Sequence, residues 1–90
     1  MNTIENKIIA LFKELNAKQE VINNAIVYRY AGKYLKLTFI HKLQSYVIEY
    51  ADSYDEAYKN LFEDGDLHHI TMDEVELIFK MREEITNTLV

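Results

Sequence analysis

The sequence contains no cysteine, no proline and only two glycines. Without cysteine there is no disulfide, no thiolate nucleophile and no Cys-ligated zinc site. With Gly32 and Gly65 as its only glycines, the chain has no glycine-rich phosphate loop. The lack of proline leaves nothing that forces a break in a helix or strand. No apolar run approaches the about 20 residues that span a bilayer. The opening MNTIENKIIALF lacks a basic region followed by a continuous apolar core, so no signal peptide is expected. These absences lead us to expect a soluble, cytoplasmic protein without a membrane partner.

What is present is a chain of 90 residues, 49% hydrophobic and 12% aromatic. That is too apolar for disorder and the size of one domain, spanning residues 1–90. A chain this short hides only roughly 60–65% of its unfolded surface, so every apolar face has to be used. The net charge of −5 is spread unevenly: residues 1–24 sum to 0, 25–50 to +3 and 51–90 to −8. The acidic end would repel a phosphate backbone, so no nucleic-acid partner is expected. A charged partner, if there is one, should be basic.

Ile4, Ile8, Leu11, Phe12 and Leu15 form one apolar stripe at helical spacing. Asn2 with Glu5 fits a capping box, Thr3 is the rival cap, and Asn16 can end the helix in the left-handed conformation. Residues 17–24 read either as an extension of that helix or as a short second turn, broken at Asn23-Asn24. AIVYRY (25–30), YLKLTFIH (34–41) and YVIEY (46–50) then read as three strands joined by turns at 31–33 and 42–45. Leu35, Leu37 and Phe39 alternate with Tyr34, Lys36 and Thr38, so the first set should face helices. Ser53 with Glu56 and Thr71 with Glu74 fit capping boxes that open two more helices. The first should stop near Gly65; the second should bury Val75, Ile78, Phe79, Ile85 and Leu89, widened by Leu77 and Met81. The expected fold is α+β with two layers. A three-stranded antiparallel meander packs against helices in the order α-β-β-β-α-α.

The most chemically loaded stretch is FEDGDLHH, 62–69. Setting Gly65 as the sixth residue of a calcium loop puts Phe62 at a ligand position and Thr71 where a bidentate Glu must stand, so the calcium pattern fails. His68 and His69 are adjacent, which on a strand or a helix turns them apart rather than onto one ion. One of them with Asp64 or Asp66 and His41 is the remaining metal combination. Ser45 and Ser53 suit a turn and an N-cap and sit in no nucleophile elbow. The expectation is therefore no catalytic residue, no metal and no cofactor: not an enzyme. Read as a helix end, Glu63, Asp64 and Asp66 oppose the helix dipole, which leaves two readings, an acidic contact loop or a plain turn. Seven tyrosines, all between 28 and 58, are too many for so small a core. Tyr54 and Tyr58 beside the acids are candidate anchors for a protein partner.

The stretch YVIEYADSYDEAYKNLFEDGDLHHI (46–70) resembles segments of small immunity proteins from bacterial polymorphic-toxin systems, including those associated with type VII secretion. The likeness lies in a strand ending in an acid, a short S-x-x-E-A helix and an FEDGD-like turn. The resemblance implies a cytoplasmic antitoxin that binds and neutralises a cognate toxin. Glu63, Asp64 and Asp66 would offer charge to a basic toxin domain, with Tyr54 or Tyr58 as anchor. The alternatives are a small homodimeric structural or regulatory protein, pairing through a sheet edge or the C-terminal helix, and a metal-dependent hydrolase around His41, His68 and His69.

Overall fold

The computed structural model describes residues 3–87. Helix α1 (Thr3–Glu14) is followed by strands β1 (Lys18–Ile22), β2 (Ala25–Tyr30) and β3 (Lys33–Ile40), a single 3-10 turn at His41–Leu43, and β4 (Ser45–Ala51). A short helix α2 (Tyr54–Tyr58), strand β5 (Glu63–His69) and a long helix α3 (Glu74–Asn87) complete it. The fold is α+β, but the sheet has five strands, antiparallel throughout and in chain order β1-β2-β3-β4-β5.

The two additional strands correct two expectations. Residues 17–24 neither extend α1 nor form a helical turn. Asn16 takes a positive φ of 63° and closes α1, with Ala17 N–H donating to the Phe12 carbonyl at 2.9 Å. Asn23 and Asn24 are both left-handed, at φ 48° and 67°, which makes a two-residue hairpin turn whose twist matches the strands. Ile22, beside it, is buried, whereas Val21 is exposed, the alternation of a strand with one covered face. The second correction concerns α2, which does not run to Gly65. Asn60 turns left-handed at φ 59°, and Leu61 N–H reaches back to the Glu56 carbonyl at 2.8 Å. The residues Glu63–His69 then leave as an edge strand.

The centre of the sheet follows its alternation. Leu35, Leu37 and Phe39 face the same layer as Tyr28, Tyr46 and Ile48, and there α1 contributes Ile8, Leu11 and Phe12. From α3 the buried residues are Leu77, Met81 and Ile85, spaced i, i+4, i+8. The expected stripe holds at Ile85, Leu77 and Met81, with Ile78 packed at the margin, but it is rotated away from Val75 and Phe79, which are exposed; Leu89 lies outside the described residues. Asp73, not Thr71, caps α3, its Oδ2 accepting from the N–H groups of Val75 and Glu76 at 3.1 and 3.3 Å. Ser53 caps α2 as expected, its hydroxyl oxygen accepting from Glu56 N–H at 3.1 Å. The Asn2 cap lies outside the described residues.

Helix α2 sits on the opposite sheet face from α1 and α3, so the helices are not confined to one layer. It buries Ala57 against Ile22, Val27 and Ala51, with Tyr34 and Phe62 at the margin. Each fully buried Leu, Ile or Val contributes about 1.5–3 kcal/mol, so this small second cluster matters in a domain of this size.

The β2–β3 turn stores strain that can be removed. Ala31 and Gly32 are both left-handed, at φ 48° and 84°. For alanine that conformation costs roughly 1–2 kcal/mol, whereas Asn-Gly is the preferred pair in this turn. Ala31→Asn should raise stability by about 1 kcal/mol and the melting temperature by roughly 4–8 °C. Thermal unfolding followed by circular dichroism measures it.

Candidate functional site

The site is built where β5 meets β4. Val47 pairs with Leu67 and Glu49 with Asp64, so two residues of β5, Gly65 and Asp66, stand opposite the single residue Ile48. This is a β-bulge. The bulge turns the backbone N–H of Asp66 toward α3, where it donates to Glu84 Oε1 at 3.0 Å. His68 Nε2 donates to the same oxygen at 2.9 Å, and the Tyr50 hydroxyl donates to Glu84 Oε2. One carboxylate from α3 thus gathers three donors from two strands. A Cβ on Gly65 would stand 2.4 Å from Glu84 Oε2, 2.8 Å from the Ile48 carbonyl oxygen and 2.9 Å from the Tyr50 ring. Glycine is required here by space, not by φ.

The electrostatics follow from burial. The side chains of His68 and Glu84 are only 5% and 10% exposed. Burial pushes the Glu84 carboxyl up. The hydrogen bonds from His68, Tyr50 and Asp66 N–H, with the charge of His68, outweigh that push and hold it below its ordinary value. The Tyr50 hydroxyl is pushed far above the usual tyrosine range, first by burial, then by its bond to Glu84 and the charges of Glu84 and Asp66. Glu84 therefore stays ionised and Tyr50 stays protonated, which is what their hydrogen bond needs.

A pH dependence follows with definite sign. The depressed carboxyl of Glu84 contributes stability that is fully present above its ordinary value of 4.5 and is lost as pH falls below it toward the lowered value of the folded state. The raised hydroxyl of Tyr50 contributes stability that is complete below pH 10.0 and is lost as pH rises beyond it. Tyr28 is raised in the same sense, by burial and then by Glu5. Absorbance titration of the phenolates should show Tyr28 and Tyr50 resisting ionisation above pH 10.0, and Tyr50→Phe should remove one of these late steps.

Around this network lies a cleft of about 350 Å³ lined by Lys33, Tyr50, Asp52, Glu56, Leu61, Glu63, Asp64, Gly65, Asp66 and Glu84. Six carboxylates and one ammonium line it, a formal charge of −5 that equals the net charge of the whole chain. The one ammonium, Lys33, is held by Asp52 at 2.7 Å. Glu63, Asp64 and Asp66 are all exposed. Asp64 also stands directly across the ladder from Glu49, a like-charge pairing that strands normally avoid. Glu49 is satisfied by the Thr38 hydroxyl at 2.5 Å and lies 3.8 Å from Lys36 Nζ.

The five residues singled out from the sequence are thus divided. Glu63, Asp64 and Asp66 come together at the cleft, but not as a helix end opposing its dipole, because they are strand residues. Tyr54 and Tyr58 do not line it. They stack on each other along α2 with ring centroids 6.3 Å apart, Tyr54 meets Tyr34 edge-on at 6.4 Å, and both are at least half exposed. The tyrosine of the cleft is Tyr50. Sequence reasoning missed Glu84 and Tyr50. The signal for Glu84 was an acid set among Leu77, Met81 and Ile85 on the buried stripe of α3.

The histidines diverge as an extended segment requires. His68 faces α3 and Glu84, whereas His69 faces the opposite side, its Nδ1 meeting Ser45 Oγ. The Ser45 hydroxyl donates its proton to the Leu43 carbonyl at 2.8 Å, so His69 Nδ1 is the donor and Ser45 the acceptor. Ser45 is fully buried and its proton is committed, an arrangement that ties down a strand end rather than exposing a nucleophile. His41 packs edge-on against Phe39 at the far end of β3. Among the described residues no three His, Asp or Glu side chains are grouped to hold a metal ion. Among them, too, no helix is long and apolar enough to cross a membrane.

No family model matches the chain, and it matches no curated protein and no solved structure.

Proposed function

We propose that the protein is a non-enzymatic binding module of the immunity-protein kind, which engages a basic partner protein through the acidic cleft at β5 and blocks it. The observation that carries this reading is the concentration of charge. The cleft's lining residues alone carry as much negative charge as the chain has net. Acidic surface of this kind speeds encounter with a basic partner and selects against acidic ones. A basic toxin domain is the partner class that the likeness of residues 46–70 implies. The rigid Glu84 network beneath the cleft keeps the exposed carboxylates of Glu63, Asp64 and Asp66 on a fixed backbone, which lowers the entropy lost on binding. The buried positions of His68 and Ser45 favour this reading over hydrolytic chemistry. Tyr54 and Tyr58 form a separate exposed aromatic patch that a large partner reaches across α2.

Co-expression with the product of the adjacent reading frame, followed by purification on a tag, tests the proposal. A stoichiometric complex that protects the host from that product supports it. A host equally poisoned with and without this protein overturns it.

A further inference from the structure

On the outer side of the helical layer, α1 and α3 leave a second groove of about 330 Å³, lined by Lys7, Ala10, Leu11, Glu14, Glu74, Val75, Ile78 and Arg82. None of these residues lines the acidic cleft. The floor is apolar, and on the α3 side the apolar surface continues outward. Val75 is 78% and Phe79 57% exposed, a costly position for two large hydrophobic side chains one helical turn apart. They are the residues whose spacing suggested a core stripe, and the observed core does not use them.

The four corners of the groove are charged in an alternating pattern. Lys7 pairs with Glu74 at 3.0 Å at one end, and Glu14 pairs with Arg82 at the other. These pairings also show that α1 and α3 run in the same direction. Along α1 the sign goes from plus to minus, and along α3 from minus to plus. Such a pattern is complementary to itself under a two-fold rotation. With the axis across the helices, Lys7 of one copy faces Glu14 of the other, and Glu74 faces Arg82. With the axis along the helices, Lys7 faces Glu74 and Glu14 faces Arg82. In both cases every corner meets its opposite charge while the apolar floors close on each other.

The geometry points to a second copy of this chain as the occupant of the groove: the α1–α3 face is a homodimer interface, with Ala10 and Ile78 on its floor, Val75 and Phe79 extending it on the α3 side and the four charged corners matched between the copies. This does not depend on the acidic cleft, which stays open in the dimer and gives each assembly two of them.

Sedimentation equilibrium of the full chain tests it, over about 1 μM to about 1 mM, the range between firm and weak association. The wild-type mass should rise from 10.7 kDa toward twice that value. Phe79→Glu changes an exposed side chain, leaves the core intact, and should weaken association roughly thirtyfold or more. Two further variants isolate the charge pattern. Lys7→Glu with Arg82→Glu makes all four corners acidic; Glu14→Lys with Glu74→Lys makes all four basic. Each alone should sediment as a monomer, and an equimolar mixture should form the mixed dimer. These corner pairs are largely exposed and contribute little to folding, so both variants should keep the wild-type circular dichroism spectrum. A wild-type mass fixed at 10.7 kDa throughout the range overturns the inference. So does unchanged association of Phe79→Glu, or a mixture in which the two charge variants ignore each other.

Discussion

Glu84→Ala should lower stability by about 3–5 kcal/mol, a fall of at least roughly 12 °C in melting temperature for a domain of this length. The size follows from what the substitution strands. His68 Nε2, the Tyr50 hydroxyl and Asp66 N–H all donate to this one carboxylate. The two side chains of the His68–Glu84 pair are almost wholly buried, so solvent cannot replace what is lost. Glu84→Gln keeps the shape and one acceptor oxygen and should cost less, about 1–2 kcal/mol. The two variants also differ in pH response. Each removes the carboxyl whose titration is depressed, so the loss of stability below pH 4.5 should be shallower than in the wild type. A double-mutant cycle with His68→Ala should show coupling of roughly 1–3 kcal/mol. Chemical denaturation at pH 7 and at pH 4 measures both quantities; an unaltered acid limb would mean that Glu84 is not the group responsible.

Gly65→Ala should cost about 2–3 kcal/mol, more than Gly32→Ala, although Gly32 is the glycine with positive φ. The contrast separates two reasons for glycine. At Gly32 an added Cβ meets nothing within 4 Å, so alanine pays only the left-handed conformation, about 1–2 kcal/mol, and the hairpin survives. At Gly65 the new methyl meets Glu84 Oε2 at 2.4 Å and the Ile48 carbonyl at 2.8 Å. The carboxylate can swing aside only by giving up its donors, and the Ile48 backbone is held in the centre of the ladder. The bulge must then move, and the Asp66 N–H with it. Resonances of Asp66 and Tyr50 should shift together in Gly65→Ala and stay in place in Gly32→Ala. Equal costs at the two glycines would contradict the crowding seen at Gly65.

These two residues also show where the sequence was legible. Strands β2 to β4 were readable because Leu35, Leu37 and Phe39 alternate with polar neighbours, and only one parity of that pattern can face α1 and α3. Asn16 as a helix end and Ser53 as a cap were readable because each acts on backbone groups a few residues away. Strand β5 was not. Glu63, Asp64, Gly65 and Asp66 have poor strand propensity, and the ladder with β4 that holds them is a long-range interaction no local pattern reports. Edge strands tolerate charges that central strands do not, and here the charges are the surface. Strand β1 was hidden for a related reason, since Asn23-Asn24 makes a hairpin turn without the glycine that usually marks one. At the site, the sequence marks the acids but not their setting. The carboxylates of Glu63, Asp64 and Asp66 do converge, yet as an edge strand folded over Glu84 rather than as a helix terminus. Glu84 went unrecognised because a stripe of buried residues is read for its apolar members, and its single acid is the informative one.

The opening of the stretch FEDGDLHH thus forms the wall of an acidic cleft, and His68 helps fix that wall from beneath. The most direct measurement is a titration by calorimetry of the adjacent frame's product into wild-type protein and into the variant Glu63→Lys, Asp64→Lys, Asp66→Lys. All three side chains are exposed, so the variant should fold like the wild type. We expect binding to the wild type that weakens as salt rises, and a loss of at least about a hundredfold in affinity for the variant. A partner that binds wild type and variant equally, with no dependence on salt, would contradict the account.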